Sequence, residues 1–163
     1  MNFSYSVKFV AQELTKEAYE RLMNELDDLT TRGRIEIAKV IEAARALGDL
    51  KENGDYHAAK DSQGKMEARV RQIQQILKDA TLVDADQSFD FVAIGCVVTL
   101  RYAGDDDTEI YVYGSIEEKR EGLHVISPSS PLGQALAGKH IGDQVSYQAP
   151  SGNLDVEIVE IRA

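Results

Sequence analysis

Apolar residues recur every three or four positions over the first half of the chain, which is the period of an α-helix that buries one face. Two runs show this spacing: Tyr19, Leu22, Met23, Leu26 and Leu29, and then Ile37, Val40, Ile41, Ala44 and Leu47. Thr15 precedes them as a suitable N-cap, and Glu17 follows in the first turn, where its charge suits the helix dipole. The register shifts near Gly33, so we predict one helix with either a coiled-coil stutter or a break there.

A second helical pattern follows, with apolar residues spaced four, three, four and three positions apart, as in a heptad seam. These residues are Met66, Val70, Ile73, Leu77 and Ala80. Between the two patterns lies the segment 48–56, with the sequence GDLKENGDY. Gly48 is a natural helix stop, and Asn53-Gly54 favours a tight turn because both residues tolerate positive φ. Two helices joined by a tight turn lie antiparallel, so we predict a long antiparallel α-helical coiled-coil hairpin with residues 48–56 at its tip.

Short polar residues from Asp79 to Asp90 predict a linker, and beyond it the hydrophobic period changes to two, as in strands. The predicted strands are residues 96–102, 109–116, 123–127, 145–148 and 154–161. Ser130-Pro131 begins a short helix that extends through Ala137 and is ended by Gly138. We therefore predict an α+β chain, with the hairpin in residues 1–83 and an antiparallel sheet with one short helix in residues 84–163.

The charge of the chain is unevenly distributed. The formal net charge is −10, but residues 16–80 hold 12 basic and 13 acidic residues, whereas residues 81–163 hold 5 and 14. The negative net charge argues against nucleic-acid binding by the whole surface, which needs a basic face. The nearly neutral helices could still carry a local basic patch. There is neither a long apolar run nor a signal peptide, so we expect a cytoplasmic protein with no membrane partner. The one cysteine, Cys96, is read as a small core residue.

The tip carries the candidate chemistry, because Asp49, Glu52 and Asp55 place three carboxylates within seven positions. Magnesium prefers hard oxygen ligands but gives up its waters reluctantly, so mobile surface carboxylates bind it weakly by themselves. The sequence contains no nucleophile elbow, P-loop or Rossmann glycine pattern.

Three groups of residues resemble one known family. The tip residues 48–53 are followed by YHAAK at 56–60 and by Gln63-Gly64, and LTKE at 14–17 and SPLG at 130–133 also fit, as does Gly142-Asp143. Together they resemble the bacterial transcript cleavage factors of the Gre type, over about residues 13–161. Gly54 and Asp55 depart from the Ala and Glu that are common there, and Lys65 from a frequent aromatic residue.

The resemblance implies an N-terminal antiparallel coiled coil and a C-terminal FKBP-like domain. It also implies a partner, RNA polymerase, whose secondary channel admits the coiled coil while the globular domain docks on the channel rim. The residues matching Asp49 and Glu52 then help to hold the second catalytic Mg²⁺ and orient the attacking water. The polymerase cleaves its own backtracked RNA, so the chain would be a protein cofactor of the polymerase and not an enzyme with a small-molecule substrate.

Four further residues near the tip have two interpretations each. Asp55 either caps the second helix, which we favour, or adds a metal contact. Arg45 and Lys60 match basic positions of the family and either contact the 3′ segment of the nascent RNA or balance nearby acids. Tyr56 either stacks on a base or supports the turn.

Three rival functions remain open. A secondary-channel inhibitor of RNA polymerase would share the architecture and differ at the tip. A prolyl isomerase is suggested by the FKBP-like fold, but a fold does not establish an activity, and the domain has few aromatic residues and no tryptophan. A coiled-coil adaptor without a channel partner would leave the acidic tip unexplained.

Overall fold

The computed structural model describes residues 12–48, 51–84 and 89–163 of the chain. Contacts divide it into two compact units. The helical unit comprises Tyr19–Asp79, and the C-terminal unit comprises residues 80–163 together with the segment that precedes Tyr19. Our predicted boundary between residues 83 and 84 lies a few residues beyond the helical unit, because the strands flanking the helices pair with each other.

The helical unit is built from three α-helices. They are α1 (Lys16–Asp28), which begins in the C-terminal unit, α2 (Arg34–Arg45) and α3 (Gly54–Asp79). Thr15 caps α1 as predicted, since its hydroxyl accepts a hydrogen bond from the Ala18 N–H at 3.2 Å. The long helical hairpin that the hydrophobic period predicted is confirmed.

The register shift near Gly33 takes the form of a π-helical segment, Leu29–Gly33, between α1 and α2. The Arg34 N–H donates to the Leu29 carbonyl five residues back, so an extra residue is accommodated without a break. The hydroxyls of Thr30 and Thr31 donate to carbonyls four residues back, at 2.7 and 2.6 Å. The alternative of a helix break is therefore wrong, and the shift is a local widening of a continuous helix.

The buried stripe of the helices is narrower than the apolar pattern predicted. Val70 and Ile73 are buried on α3, and Ile41 and Ala44 are buried on α2. Met23, Val40 and Leu47, which we also placed in the seam, are exposed by 51%, 53% and 74%. A pair of helices covers only the positions that face the partner helix, so neighbouring apolar positions stay in solvent.

Two ion pairs join α3 to the preceding helical segments. Arg69 on α3 binds Glu25 on α1 at 2.7 Å, and Glu67 on α3 binds Arg34 on α2 at 2.8 Å. These guanidinium groups hold the pKa of Glu25 and Glu67 below the ordinary carboxyl value.

The C-terminal unit contains a five-stranded sheet with the order β5-β4-β3-β7-β6. The strands are β3 (Val97–Tyr102), β4 (Thr108–Tyr113), β5 (His124–Ile126), β6 (Gln144–Ala149) and β7 (Gly152–Arg162). All pairs are antiparallel except β4 and β5, which are parallel. The predicted antiparallel sheet is confirmed for the other three strand pairs, and at this edge residues 114–123 connect β4 to β5 so that the two strands run in the same direction.

A separate two-stranded parallel sheet joins the segment before the helices to the segment after them. β1 (Glu13–Thr15) pairs with β2 (Thr81–Val83), so part of the predicted linker is a strand. β1 begins at Glu13, which lies opposite Thr81 of β2. The other predicted linker residues 85–88 lie outside the described part of the chain.

One side of the five-stranded sheet packs on the short helix α4 (Pro131–Leu136), which begins at the predicted cap. The Ser130 hydroxyl accepts from the Gly133 N–H at 3.0 Å. Leu136 from α4 joins Leu100 and Ile158 in the fully buried core. Gly133 lies so close to the Ser127 carbonyl that a Cβ atom there would be 1.9 Å from its oxygen.

No helix among the described residues is long and apolar enough to cross a membrane.

Candidate functional site

The tip of the helical hairpin lies between the end of α2 at Arg45 and the start of α3 at Gly54. Gly48 has φ +131°, a conformation that residues with a side chain rarely adopt, so it acts as the predicted helix stop. Asp49, one of the two principal predicted metal ligands, lies with Leu50 outside the described residues. Its role therefore stays a prediction.

Asn53 connects the two helices that meet at the tip. Its side-chain amide donates to the Ala44 carbonyl in α2 at 2.6 Å, and its side-chain oxygen accepts from the Tyr56 N–H in α3 at 3.1 Å. Asn53 is therefore the N-cap of α3. The predicted turn with positive φ at Asn53-Gly54 is wrong, since Gly54 is the first residue of the helix and no described residue other than glycine has positive φ.

Asp55 is consequently not the cap that we favoured. It is an exposed residue in the first turn of α3, one position after Gly54. An Asp there is stabilised by the positive end of the helix dipole, and its oxygens are open to solvent. The other interpretation of Asp55, a contact to a metal ion, is compatible with this exposed position.

Glu52 is also exposed, immediately before the cap residue. Within the described part of the chain, no three His, Cys, Asp or Glu side chains lie together as a metal site. Glu52 and Asp55 offer hard oxygen donors of the kind that Mg²⁺ prefers, so the residue types fit this ion.

The basic and aromatic residues near the tip form two small groups. The Arg45 guanidinium lies 5.7 Å from the centre of the Tyr56 ring, a cation–π contact, and the Tyr56 ring also meets His57 edge-on. Lys60 lies one turn further along α3 and donates to Gln63 at 2.5 Å. Arg45 and Tyr56, predicted separately as RNA contacts, are thus brought together, whereas Lys60 is directed to another side chain.

The structural roles of two residues were not predicted from the sequence. Asn53 could have been recognised, since Asn is a preferred N-cap three residues before a helical N–H. Glu118 could not, because it accepts from the N–H and the hydroxyl of Thr15, 103 positions away, at 2.7 and 2.8 Å. This carboxylate is 2% exposed, and it holds Thr15, the last residue of β1, within the C-terminal unit.

A tyrosine cluster occupies part of the sheet surface in the C-terminal unit. The hydroxyls of Tyr102 and Tyr111 are 3.5 Å apart, and Tyr111 also donates to Glu109. Burial, followed by the hydrogen bond to Tyr111, raises the pKa of Tyr102 to about 12. Burial likewise raises the pKa of Tyr147 to about 12. The hydroxyls remain protonated near neutral pH and act as hydrogen-bonding groups.

Family models match nearly the whole chain. The model of the N-terminal domain of GreA/GreB transcription elongation factors matches residues 12–82, and that of the C-terminal domain matches residues 86–163. A transcription elongation factor GreA from Streptomyces coelicolor is 46% identical over 140 residues, which is 85% of each chain. GreA from Nautilia profundicola is 41% identical, and 92% of this chain and 91% of that protein are aligned.

Solved structures of similar proteins include Gfh1 of Thermus thermophilus, with 27% identity and a TM-score of 0.43 over 94% of this chain and all of that one. A GreA/GreB factor from Nitrosomonas europaea has 19% identity and a TM-score of 0.40, over 94% and 99% of the two chains. These scores are too low to carry weight, so the assignment rests on the sequence matches. On those matches, the chain belongs to the GreA/GreB family of transcription elongation factors.

Proposed function

We infer that this chain is a transcription elongation factor that stimulates RNA polymerase to cleave its own backtracked transcript. The observation that carries this inference is the match of both GreA/GreB domains, which together span residues 12–82 and 86–163. The chain acts as a protein cofactor, and the polymerase performs the hydrolysis.

The helical hairpin enters the secondary channel of the polymerase in this proposal, and the C-terminal unit docks on the rim. The length of α3, 26 residues, supports a role in reaching into a channel. The dense core of the C-terminal unit supports a role as a stable docking body. The protein would work in the cytoplasm, where the polymerase is found.

Mg²⁺ would be held jointly by this chain and the polymerase, through Asp49 and Glu52. Bound between the two proteins, the ion would lower the pKa of an attacking water and stabilise charge on the phosphate. The exposure of Glu52 at the tip supports this role, because Asn53 and not Glu52 caps α3. Asp55 is added as a weaker third donor, since Asn53 and not Asp55 caps α3.

Arg45 and Tyr56 are proposed to contact the 3′ segment of the nascent RNA together. A guanidinium held over an aromatic ring offers a phosphate contact and a stacking surface side by side. Lys60 would add a phosphate contact after exchanging its bond to Gln63 for one to RNA.

Transcript cleavage in halted, backtracked polymerase complexes tests this function. Wild-type chain should shorten the transcript, whereas Asp49→Asn or Glu52→Gln should lower the rate by at least about a hundredfold while polymerase binding persists. Glu42→Gln, which removes an exposed carboxylate from α2, is the matched control and should keep full activity.

Two outcomes would contradict the proposal. If the wild-type chain leaves the transcript intact and slows elongation, the chain is a secondary-channel inhibitor. If the tip variants lose binding together with cleavage, the tip is a docking element and does not supply metal ligands.

A further inference from the structure

The side chain of Asn53 makes two hydrogen bonds that join the two helices across the tip, beside the contact of Arg45 with the Tyr56 ring. Its amide nitrogen reaches the Ala44 carbonyl at 2.6 Å, and its oxygen receives the Tyr56 N–H at 3.1 Å. Ala44 is 4% exposed, so the bridge is anchored in the buried stripe of α2. One side chain therefore ties the end of α2 to the first turn of α3.

The two glycines at the ends of the turn, Gly48 and Gly54, are not packed against other described atoms. A Cβ atom added to Gly48 or to Gly54 would meet no atom within 4 Å, which shows open space at both ends of the turn. The backbone carbonyl of Lys51 lies within hydrogen-bonding distance, 3.3 Å, of Nε2 of the exposed His57. Where the backbone is not packed, as at Gly48 and Gly54, hydrogen bonds such as those of Asn53 help to restrain its position.

We propose that Asn53 is a positioning residue for transcript cleavage, and that its bridge fixes the adjacent Glu52 relative to α2 and α3. The inference rests on the proposed function and extends it to a residue that touches neither metal nor RNA. A carboxylate that completes an ion site in another protein must arrive in a defined place, because an error of about 1 Å can cost a hundredfold in rate. The bridge restrains the residue next to Glu52 from both sides.

Asn53→Ser separates the two bonds of this side chain. Serine is as good an N-cap as asparagine, so the bond to the Tyr56 N–H is kept. Its hydroxyl is too short to replace the amide that reaches the Ala44 carbonyl, so the bridge is lost. Asn24→Ser makes the same chemical change at an exposed position of α1 and serves as the matched control.

Hydrogen exchange on the free full-length chain measures the restraint directly. In Asn53→Ser, amides between α2 and Asn53 should exchange about tenfold faster, whereas those of α3 beyond Tyr56 should keep their wild-type rates. Unchanged exchange in the tip would overturn the inference, because the bridge would then restrain nothing.

Transcript cleavage by backtracked polymerase measures the consequence. At saturating Asn53→Ser chain the maximal rate should fall about tenfold, while the chain concentration for half-maximal rate stays within about twofold of wild type. The Mg²⁺ concentration for half-maximal rate should rise about threefold, since a misplaced carboxylate holds the ion less well. Asn24→Ser should match wild type in all three quantities.

The inference is overturned if Asn53→Ser cleaves at the wild-type maximal rate, or if only the half-saturating chain concentration rises. The second pattern would assign Asn53 to the strength of docking. Wild-type chain that fails to stimulate cleavage would instead contradict the proposed function itself, so the two failures are distinguishable.

Discussion

Gly133 in the C-terminal unit and Gly64 in the helical unit both lie inside α-helices, but their surroundings differ. A Cβ on Gly133 would come within 1.9 Å of the Ser127 carbonyl oxygen, whereas a Cβ on Gly64 would have nothing within 4 Å. The first glycine is required by packing, whereas no contact among the described residues requires the second.

Two glutamates show the same contrast. Glu118 in the C-terminal unit is 2% exposed, and both of its oxygens accept hydrogen bonds from Thr15. Glu25 in the helical unit pairs with Arg69, but its side chain is 41% exposed. The contact of Glu118 is buried and geometrically fixed, whereas the contact of Glu25 is largely solvated. The exposed tip of the hairpin is likewise solvated, and its local restraint is the role that we assign to Asn53.

Gly133→Ala should cause the largest loss. The new methyl group would overlap backbone atoms that cannot move away, so we expect about 3 kcal/mol less stability for the C-terminal unit. This loss of stability is measured by chemical denaturation, with hydrogen exchange of peptides from β3 and β7 as the readout. If these peptides exchange at wild-type rates, α4 is free to shift and the packing contrast is wrong.

Glu118→Gln should lower stability by about 2 kcal/mol, because an amide cannot accept from both donors of Thr15. Glu121→Gln, an exposed position in the same unit, is the control and should change little. Thermal unfolding of the two variants side by side measures the difference. Equal melting temperatures would show that the buried contact contributes nothing net.

Gly64→Ala should stabilise the helical unit by up to about 1 kcal/mol, since alanine restricts the unfolded chain and meets no obstacle in α3. Urea denaturation monitored by circular dichroism measures it. Reduced cleavage by a more stable variant would indicate that the polymerase approaches the chain closely at this position. Lower stability would contradict the open surroundings seen here.

Glu25→Gln should have the smallest effect, about 0.5 kcal/mol near neutral pH, because the ion pair with Arg69 is largely solvated. The pKa of Glu25 is lowered in the folded chain by the hydrogen bond from Arg69, so the pair stabilises above the ordinary value of 4.5. This contribution is lost as the pH falls through the lowered pKa. Urea denaturation between pH 7 and pH 3 should show that the difference in unfolding free energy between wild type and Glu25→Gln disappears in acid. A difference that persists at pH 3 would contradict the role of the ion pair.

The local features of the fold could be predicted from the sequence because they depend on neighbouring residues. Hydrophobic periods of about 3.6 and 2 indicated the helices and strands, and Thr15 and Ser130 were correctly predicted as caps. The misplaced cap at the tip shows the limit of this reasoning. Asn53 and Asp55 are both good N-caps, and only the position of the first turn of α3 distinguishes them.

The sequence by itself determined the helices, the strands of the five-stranded sheet and the acids near the tip, because each depends on residue type and spacing. The tertiary structure alone decided that Glu118 meets Thr15, that Asn53 reaches Ala44, and that Gly133 lies against Ser127. A periodic pattern reports which face of a segment is buried, but not which atoms of a distant segment will cover it. Those pairings arise only when each unit folds and brings distant segments of its own chain together.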